Sequence, residues 1–254
     1  LKIALRNLRR HKGYSSINVT GLAVGLACSF FILLWVQDEL SYDRFHERDD
    51  RLYRVMRNAS FSDQIYTWGA LPKPLAQVLE DDFPEIEHAV LVTWQQEKVV
   101  ARGDRAFRES GFYVSPAFVE MFTYLFVLGD PATALDDPNS VVISASMARK
   151  YFGDDWQAAG NTLGQTLHIE NRQDFTIAGV FEDVPENASL RFDFLLPFDN
   201  FARENTWVEH WGNNSFRTYV QLAEGASMEA VNAKIANTLN EHWESAEAAL
   251  FLQP

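Results

Sequence analysis

An uncharged stretch of 23 residues constrains this chain more than any other feature. Residues 14–36 contain no Asp, Glu, Lys or Arg, and a helix that rises 1.5 Å per residue would extend roughly 35 Å over that length. The hydrocarbon core of a membrane is about 30 Å thick. The stretch therefore predicts one transmembrane helix over residues 14–37, with the lipid bilayer as a partner.

Basic residues beside this stretch predict its orientation. Five of the first twelve residues are basic: Lys2, Arg6, Arg9, Arg10 and Lys12. Short segments rich in Lys and Arg stay on the cytoplasmic side of a membrane. We therefore expect residues 1–13 to form a cytoplasmic amphipathic elbow that serves as a basic anchor, and everything after residue 38 to lie outside.

A cleaved signal peptide or a lipoprotein signal is the alternative interpretation of the stretch. The stretch is longer than the apolar region of a typical signal peptide, and no small-residue cleavage site ends it. Cys28 is the only cysteine, and Gly25 stands where a lipid-attachment motif usually has Leu. We therefore favour the anchor, in which Gly21 and Gly25 form a G-x-x-x-G motif that lets another helix pack closely.

The part of the chain after residue 37 is strongly acidic. It holds 17 Lys and Arg against 35 Asp and Glu, a net charge of −18. Such a surface repels nucleic acid, so we expect no nucleic-acid partner. About 217 residues are enough for one large domain or two small ones, and two subdomains are preferred.

Alternating and helical patterns predict a mixed domain. Ser144 and Ser227 are predicted N-caps, of helices over residues 145–152 and 228–243. Further helices are predicted over residues 71–83 and 116–122. The predicted strands are residues 52–57, 89–94, 98–101, 106–109, 140–144, 163–170, 175–181, 192–197 and 217–222.

The sequence contains no motif for catalysis. It lacks a G-x-x-x-x-G-K-[ST] loop, a G-x-G-x-x-G turn, an H-E-x-x-H helix and a G-x-S-x-G elbow. The six histidines are scattered, and acidic pairs such as Asp81 and Asp82 are typical of helix ends. An aromatic cluster at Trp207, His210 and Trp211 indicates core packing or an interface. We therefore expect no enzyme activity, no cofactor and no metal.

Several motifs, taken in order, resemble a known family. The first are ALRNLRRHKGYS at residues 4–15, NVTGLAVGLA at 18–27, YDRFH at 42–46 and LYRV at 52–55. They resemble the N-terminus of MacB/FtsX-like permeases of ABC transporters. VVIS at residues 141–144, ARKYFG at 148–153 and FTIAGVFEDVP at 175–185 resemble the MacB-type periplasmic core domain.

The resemblance implies an α+β fold: one N-terminal transmembrane helix, then a mixed α/β extracytoplasmic core with an inserted β-rich lobe. On this chain the core would be residues 38–107 and 191–254, and the lobe residues 108–190. The chain would be a fragment of a longer permease subunit in the bacterial inner membrane, with the domain after residue 38 in the periplasm.

The resemblance also implies partners and a mechanism. A separate cytoplasmic ABC ATPase subunit would hydrolyse ATP, and a permease dimer would pass the motion to the periplasmic domain, which exports or extrudes a substrate. Periplasmic or outer-membrane proteins would be further partners. Two other classes stay open: a membrane-anchored extracytoplasmic sensor or binding module, and a membrane-anchored hydrolase, which the missing catalytic motifs disfavour.

Overall fold

The computed structural model describes residues 10, 12–61, 64–158 and 160–254. The chain divides into two compact units, one up to Arg44 and one from Phe45 to Pro254. Each unit is described by itself.

The first unit consists mainly of one long helix, α1, over Lys12–Glu39. Its 28 residues extend about 42 Å, and none of them is buried within the chain. Among the described residues this is the one helix long and apolar enough to cross a membrane. The predicted transmembrane segment is thus helical over its whole length and continues through Asp38.

The second unit is built on a twelve-stranded sheet. The strands are β1 (Leu52–Phe61), β2 (Gln64–Trp68), β3 (Ile86–Val92), β4 (Gln96–Arg102), β5 (Arg105–Val114), β6 (Phe126–Gly129), β7 (Ser140–Ser144), β8 (Thr166–Ile169), β9 (Gln173–Phe181), β10 (Phe194–Pro197), β11 (Arg217–Leu222) and β12 (Ala248–Gln253). Their order is β10-β7-β9-β8-β4-β5-β3-β11-β1-β12, with β2 paired to β1 and β6 paired to β9.

A further pairing closes part of this sheet. β10 pairs with β5 in parallel, so six strands between residues 96 and 197 form a hydrogen-bonded ring. The other arm of the sheet, β3, β11, β1 and β12, comes from residues before and after that ring. The predicted boundary between residues 107 and 108 falls inside β5, which pairs with β4 without a break. The division into core and inserted lobe stays a prediction.

Short helices cover the sheet. They are α2 (Pro74–Asp82), α3 (Phe118–Met121), α4 (Ala145–Phe152), α5 (Phe198–Glu204), α6 (Met228–Ile235) and α7 (Thr238–His242). Ser144 caps α4, because its hydroxyl accepts a hydrogen bond from the Met147 N–H at 3.1 Å. Ser227 caps α6 in the same way through the Ala230 N–H.

Both faces of the sheet are buried at β3, at the C-terminal half of β5 and at β10. Side chains of neighbouring residues in a strand point to opposite faces, and here they enter two different apolar clusters: Leu91 and Val92 in β3, Phe112 and Tyr113 in β5, Leu195 and Leu196 in β10. Burial on both faces explains the continuous apolar runs of β7 and β10, where every residue is buried.

Candidate functional site

Helix α1 carries the residues predicted to face the membrane. Its large apolar side chains are exposed, including Phe30, Phe31 and Trp35. Apart from the backbone of α1 and the adjacent residues, a Cβ atom added at Gly21 or Gly25 would meet no described atom within 4 Å. Both glycines are therefore free to contact another helix, and the predicted packing role stays a prediction.

Two of the five predicted anchor residues lie within the described part of the chain. Arg10 and Lys12 are exposed, and Lys12 is the first residue of α1. Lys2, Arg6 and Arg9 lie outside the described residues. The two described cations are thus available at the N-terminal end of the apolar helix.

The second unit contains an open polar cleft of about 450 Å³. It lies where β7 joins α4, beside the loop after β9 and the segment before β10. Ten residues line it: Gln95, Ser110, Ser144, Ser146, Asp183, Val184, Glu186, Arg191, Phe192 and Asp193. The sequence did not reveal this cleft, because five separate segments contribute to it and no local motif joins them.

Hydrogen bonds inside the protein occupy two of the three carboxylates in the cleft. Asp183 accepts from the Ser146 N–H at 2.8 Å and from the Ser146 hydroxyl at 2.5 Å. Asp193 accepts from the Ser110 N–H at 2.9 Å. Each bond joins two segments of the cleft wall, so these carboxylates hold the wall together. Most of the residues that line the cleft are polar.

The predicted aromatic cluster is not a single site. Trp207 stacks on Phe216 with ring centroids 5.8 Å apart, whereas Trp211 stacks on His242 at 4.3 Å. His210 is exposed. The two tryptophans therefore pack against different parts of the second unit.

The histidines are also dispersed. His88 lies 3.8 Å from Glu80, His168 contacts Asp174, and His46 is buried against aromatic rings. His11 lies outside the described residues. Within the described ranges, no three side chains of His, Cys, Asp or Glu converge on a point that could hold a metal ion.

A buried polar network that the sequence analysis missed joins β5 to α4. The Lys150 Nζ lies 2.7 Å from Glu109 Oε1, and the Tyr151 hydroxyl lies 3.0 Å from the same oxygen and 3.0 Å from the Val100 carbonyl. Burial, followed by the Glu109 charge, raises the pKa of Tyr151. Lys150 and Tyr151 lie 41 and 42 residues after Glu109. No local sequence pattern therefore indicates that they share this acidic partner.

A family model described as the MacB-like periplasmic core domain matches residues 15–238. A search of curated proteins gave no match.

Solved structures share the fold of the second unit. A domain of a protein described as a permease, from Porphyromonas gingivalis, is 26% identical with a TM-score of 0.70, over 82% of this chain and 91% of that one. The periplasmic region of MacB from Actinobacillus actinomycetemcomitans is 14% identical with a TM-score of 0.57, over 79% of this chain and 88% of that one.

A third similar structure comes from Gram-positive bacteria. It is the extracellular domain of the noncanonic ABC-type transporter YknZ, which is 14% identical with a TM-score of 0.58, over 80% of this chain and 100% of that one. At 14% identity, this structure and that of MacB show similarity of fold alone.

Proposed function

This chain belongs to the family of MacB-like periplasmic core domains, and on that premise we propose that it is the first membrane helix and extracytoplasmic domain of an ABC transporter permease subunit. One observation carries the proposal: a single family model covers residues 15–238, which include most of α1 as well as the folded unit after it. A sensor domain of another family would not be expected to match over both parts.

ATP hydrolysis is assigned to a separate cytoplasmic subunit. The match to the MacB-like family supports this assignment, because permeases of ABC transporters work with an ATPase. The permease would then receive motion from the ATPase and carry it across the membrane. Helix α1 supports this role because it is continuous from Lys12 to Glu39, and a continuous helix transmits displacement better than a flexible linker does.

The second unit would supply the extracytoplasmic surface that the motion changes. Its polar cleft and its ring of paired strands give it a recognition surface on a rigid frame. We assign to it the binding of a substrate or partner during export or extrusion. Catalysis is not part of this proposal.

The basic residues and the glycine motif complete the proposal. Arg10 and Lys12, with Lys2, Arg6 and Arg9 before them, would keep the N-terminal end of α1 in the cytoplasm. The helix would thus cross the bacterial inner membrane and place the second unit in the periplasm. Gly21 and Gly25 would contact another membrane helix of the permease dimer.

Co-purification tests the proposal. The protein is tagged, extracted from the membrane of the cells that produce it in a neutral detergent, and its partners are identified by mass spectrometry. We expect an ATPase with a phosphate-binding loop motif, and vanadate-sensitive ATP hydrolysis in the purified complex. An unrelated single-span protein of the same membrane, with the same tag, is the control.

One result would replace this function by another. If a kinase or other signalling protein co-purified, and no ATPase did, the chain would be an extracytoplasmic sensor or binding module.

A further inference from the structure

Two arginines lie side by side on one face of the sheet. Arg54 in β1 lies opposite Tyr219 in β11, and Arg217 precedes Tyr219 by two residues. Residues two apart in a strand share a face, and diagonal neighbours across an antiparallel pair lie close together. Arg54 and Arg217 are therefore neighbours on the same face, next to Tyr219.

Neither arginine has an acidic partner. The ion pairs of the described residues include neither Arg54 nor Arg217, although the chain has 35 Asp and Glu. The Nε atom of each is buried without a hydrogen-bond partner. Two cations thus lie together without an ion pair to any acid that the structure describes.

Such an arrangement has a free-energy cost that a ligand could offset. Burial lowers the pKa of Arg217, and the charge of Arg54 lowers it further against the opposing effect of Tyr219. A partly buried cation that lacks an opposite charge destabilises the folded state. Binding of a negatively charged group would give the two Nε donors a partner and offset the repulsion between the two like charges.

Neighbouring residues hold the guanidinium of Arg217 in a fixed place. Its Nη2 donates to the Thr93 carbonyl at 2.8 Å. Its Cζ lies 5.3 Å from the centroid of the Trp94 ring and 5.1 Å from that of Phe112, within the range of cation–π attraction. Trp94 is itself 53% exposed, so an apolar surface next to the arginine is open to solvent.

Gly69 makes room for the guanidinium of Arg54. A Cβ atom at residue 69 would lie 2.2 Å from the Arg54 Nη2 and 2.7 Å from its Cζ, which is closer than nonbonded atoms can approach. The absence of a side chain at residue 69 is thus what allows Arg54 its present position.

We propose that Arg54 and Arg217 form a binding site for an oxyanion group, a carboxylate or a phosphate, of a ligand of the second unit. A guanidinium offers N–H donors in a planar fork that matches the oxygens of both groups. Trp94 contacts the apolar part that carries the oxyanion. Neither arginine nor Trp94 lines the polar cleft, and the proposal does not depend on the permease function.

Titration calorimetry of the whole chain in a neutral detergent tests the site, at constant ionic strength and in a buffer without other oxyanions. The two probes are inorganic phosphate and a short peptide of glutamates. We expect saturable binding of at least one probe at a single site, and the probe that binds identifies the ligand group as phosphate or carboxylate. If neither probe bound saturably, the proposal would be wrong.

Three variants separate a built site from a general charge effect. Arg54→Gln and Arg217→Gln should each weaken binding at least tenfold. Arg108→Gln removes the same charge from an exposed arginine that pairs with Glu97 at 3.6 Å, and it should leave the affinity unchanged. Equal weakening by Arg108→Gln would overturn the proposal.

A fourth variant keeps both charges. Gly69→Ala should weaken binding at least fivefold, because the methyl group displaces the guanidinium of Arg54. Since only the flexible end of a side chain has to shift, the fold should survive, and thermal unfolding checks this. Should Arg217→Gln fail to fold, Gly69→Ala decides: unchanged affinity in Gly69→Ala contradicts the site.

Discussion

At the scale of single residues, Glu109 is the most buried of the acidic side chains that the structure describes. It is 6% exposed, and its Oε1 lies within hydrogen-bond distance of both Lys150 and Tyr151. Because these partners belong to α4 and Glu109 belongs to β5, the carboxylate fastens the helix to the ring of strands.

Replacing Glu109 should therefore destabilise the second unit. Glu109→Ala leaves Lys150 and Tyr151 without their partner, and we expect a loss of about 2 kcal/mol in the free energy of unfolding. For a domain of this size that corresponds to a fall in Tm of roughly 5 °C. Thermal unfolding followed by circular dichroism measures it.

The matched control is Glu97→Ala. Glu97 pairs with Arg108 at 3.6 Å, and both side chains are well exposed. Exposed pairs contribute little to stability, so the Tm should change by no more than about 1 °C. A similar fall in both variants would mean that the Glu109 network has no special role.

Buried tyrosines predict a loss of stability in alkali. Burial, followed by the charges of Glu204 and Glu170, raises the pKa of Tyr113 to about 12, and the pKa of Tyr151 is raised as well. Above about pH 10 the unfolded chain loses phenolic protons that the folded chain retains. The unfolded state then binds fewer protons, so stability falls as the pH rises.

Tyr113→Phe should reduce this alkaline loss. The raised pKa of Tyr113 accounts for about 1 kcal/mol of lost stability at about pH 11, and Phe has no proton to lose. Urea unfolding at about pH 8 and pH 11 measures the difference between the two values for each protein. An equal loss in the wild type and in Tyr113→Phe would show that Tyr113 ionises normally in the folded state.

At the scale of elements, the free edge of strand β12 is hydrogen-bonded to residues 232–240, in and between α6 and α7. The Ala248 N–H donates to Asn240 Oδ1 at 3.1 Å, and Asn240 Nδ2 donates to the Ala248 carbonyl at 2.8 Å. The Leu250 N–H donates to the Ala236 carbonyl, and the Leu252 N–H to Asn232 Oδ1. These bonds occupy the groups that would otherwise pair with another strand.

Asn240→Ala should open this edge. It removes both bonds to Ala248, for which we expect a cost of about 1–2 kcal/mol and faster amide hydrogen exchange over residues 248–250. Hydrogen exchange with mass spectrometry measures the effect. Asn161→Ala is the control, since the Asn161 side chain donates to the Asp155 carbonyl in an exposed loop. Unchanged exchange at β12 in Asn240→Ala would contradict a role of Asn240 at this edge.

The glycine motif of α1 gives a prediction for association in the membrane. When Ile replaces Gly21 and Gly25, its Cβ atom meets no described atom beyond the backbone of α1 and the adjacent residues. The second unit should therefore keep its Tm. Contact with another membrane helix should weaken severalfold, because close approach needs small residues. Cross-linking in membranes measures it, with Val24→Ile as the control; unchanged cross-linking would mean that the motif is not a contact.

Elements with a strong local pattern were predicted well. The predicted bounds of β7 and β11, residues 140–144 and 217–222, agree with the structure, because β-branched runs between turns identify buried strands. The Ser144 cap is confirmed as well. Such features depend on neighbouring residues alone.

Elements that depend on distant contacts were missed or misjudged. β2 was missed because it is exposed along its whole length and has no apolar alternation. The sequence analysis also missed β6, α5 and β12. The helix predicted over residues 228–243 ends at Ile235 and resumes at Thr238. The break lies where the Ala236 carbonyl accepts a bond from β12, a tertiary contact that the local sequence does not encode.

The candidate sites could not be predicted either, because they also depend on contacts between distant residues. Arg54 and Arg217 are 163 residues apart, and only the register of β1 against β11 makes them neighbours. The polar cleft likewise depends on how β7, β9 and β10 are ordered in the sheet. Residue types and spacing predicted the apolar helix, and the family resemblance predicted the fold class, whereas surface sites formed by several strands required the structure.

At the scale of the whole molecule, charge follows the proposed membrane topology. Five Lys and Arg precede the apolar stretch, and the residues after it carry a net charge of −18. Cations resist transfer across a membrane more than anions do. We therefore expect the N-terminal end of α1 in the cytoplasm and the second unit outside.

Cysteine labelling in intact spheroplasts measures this sidedness directly. Cys28 is the only cysteine, so Cys28→Ser gives a background in which Asp104→Cys, in the exposed turn after β4, and Lys12→Cys can each be labelled alone. A membrane-impermeant maleimide should label the Asp104→Cys protein at once, and the Lys12→Cys protein only after the membrane is permeabilised. Labelling of Lys12→Cys from outside, with Asp104→Cys protected, would contradict the account.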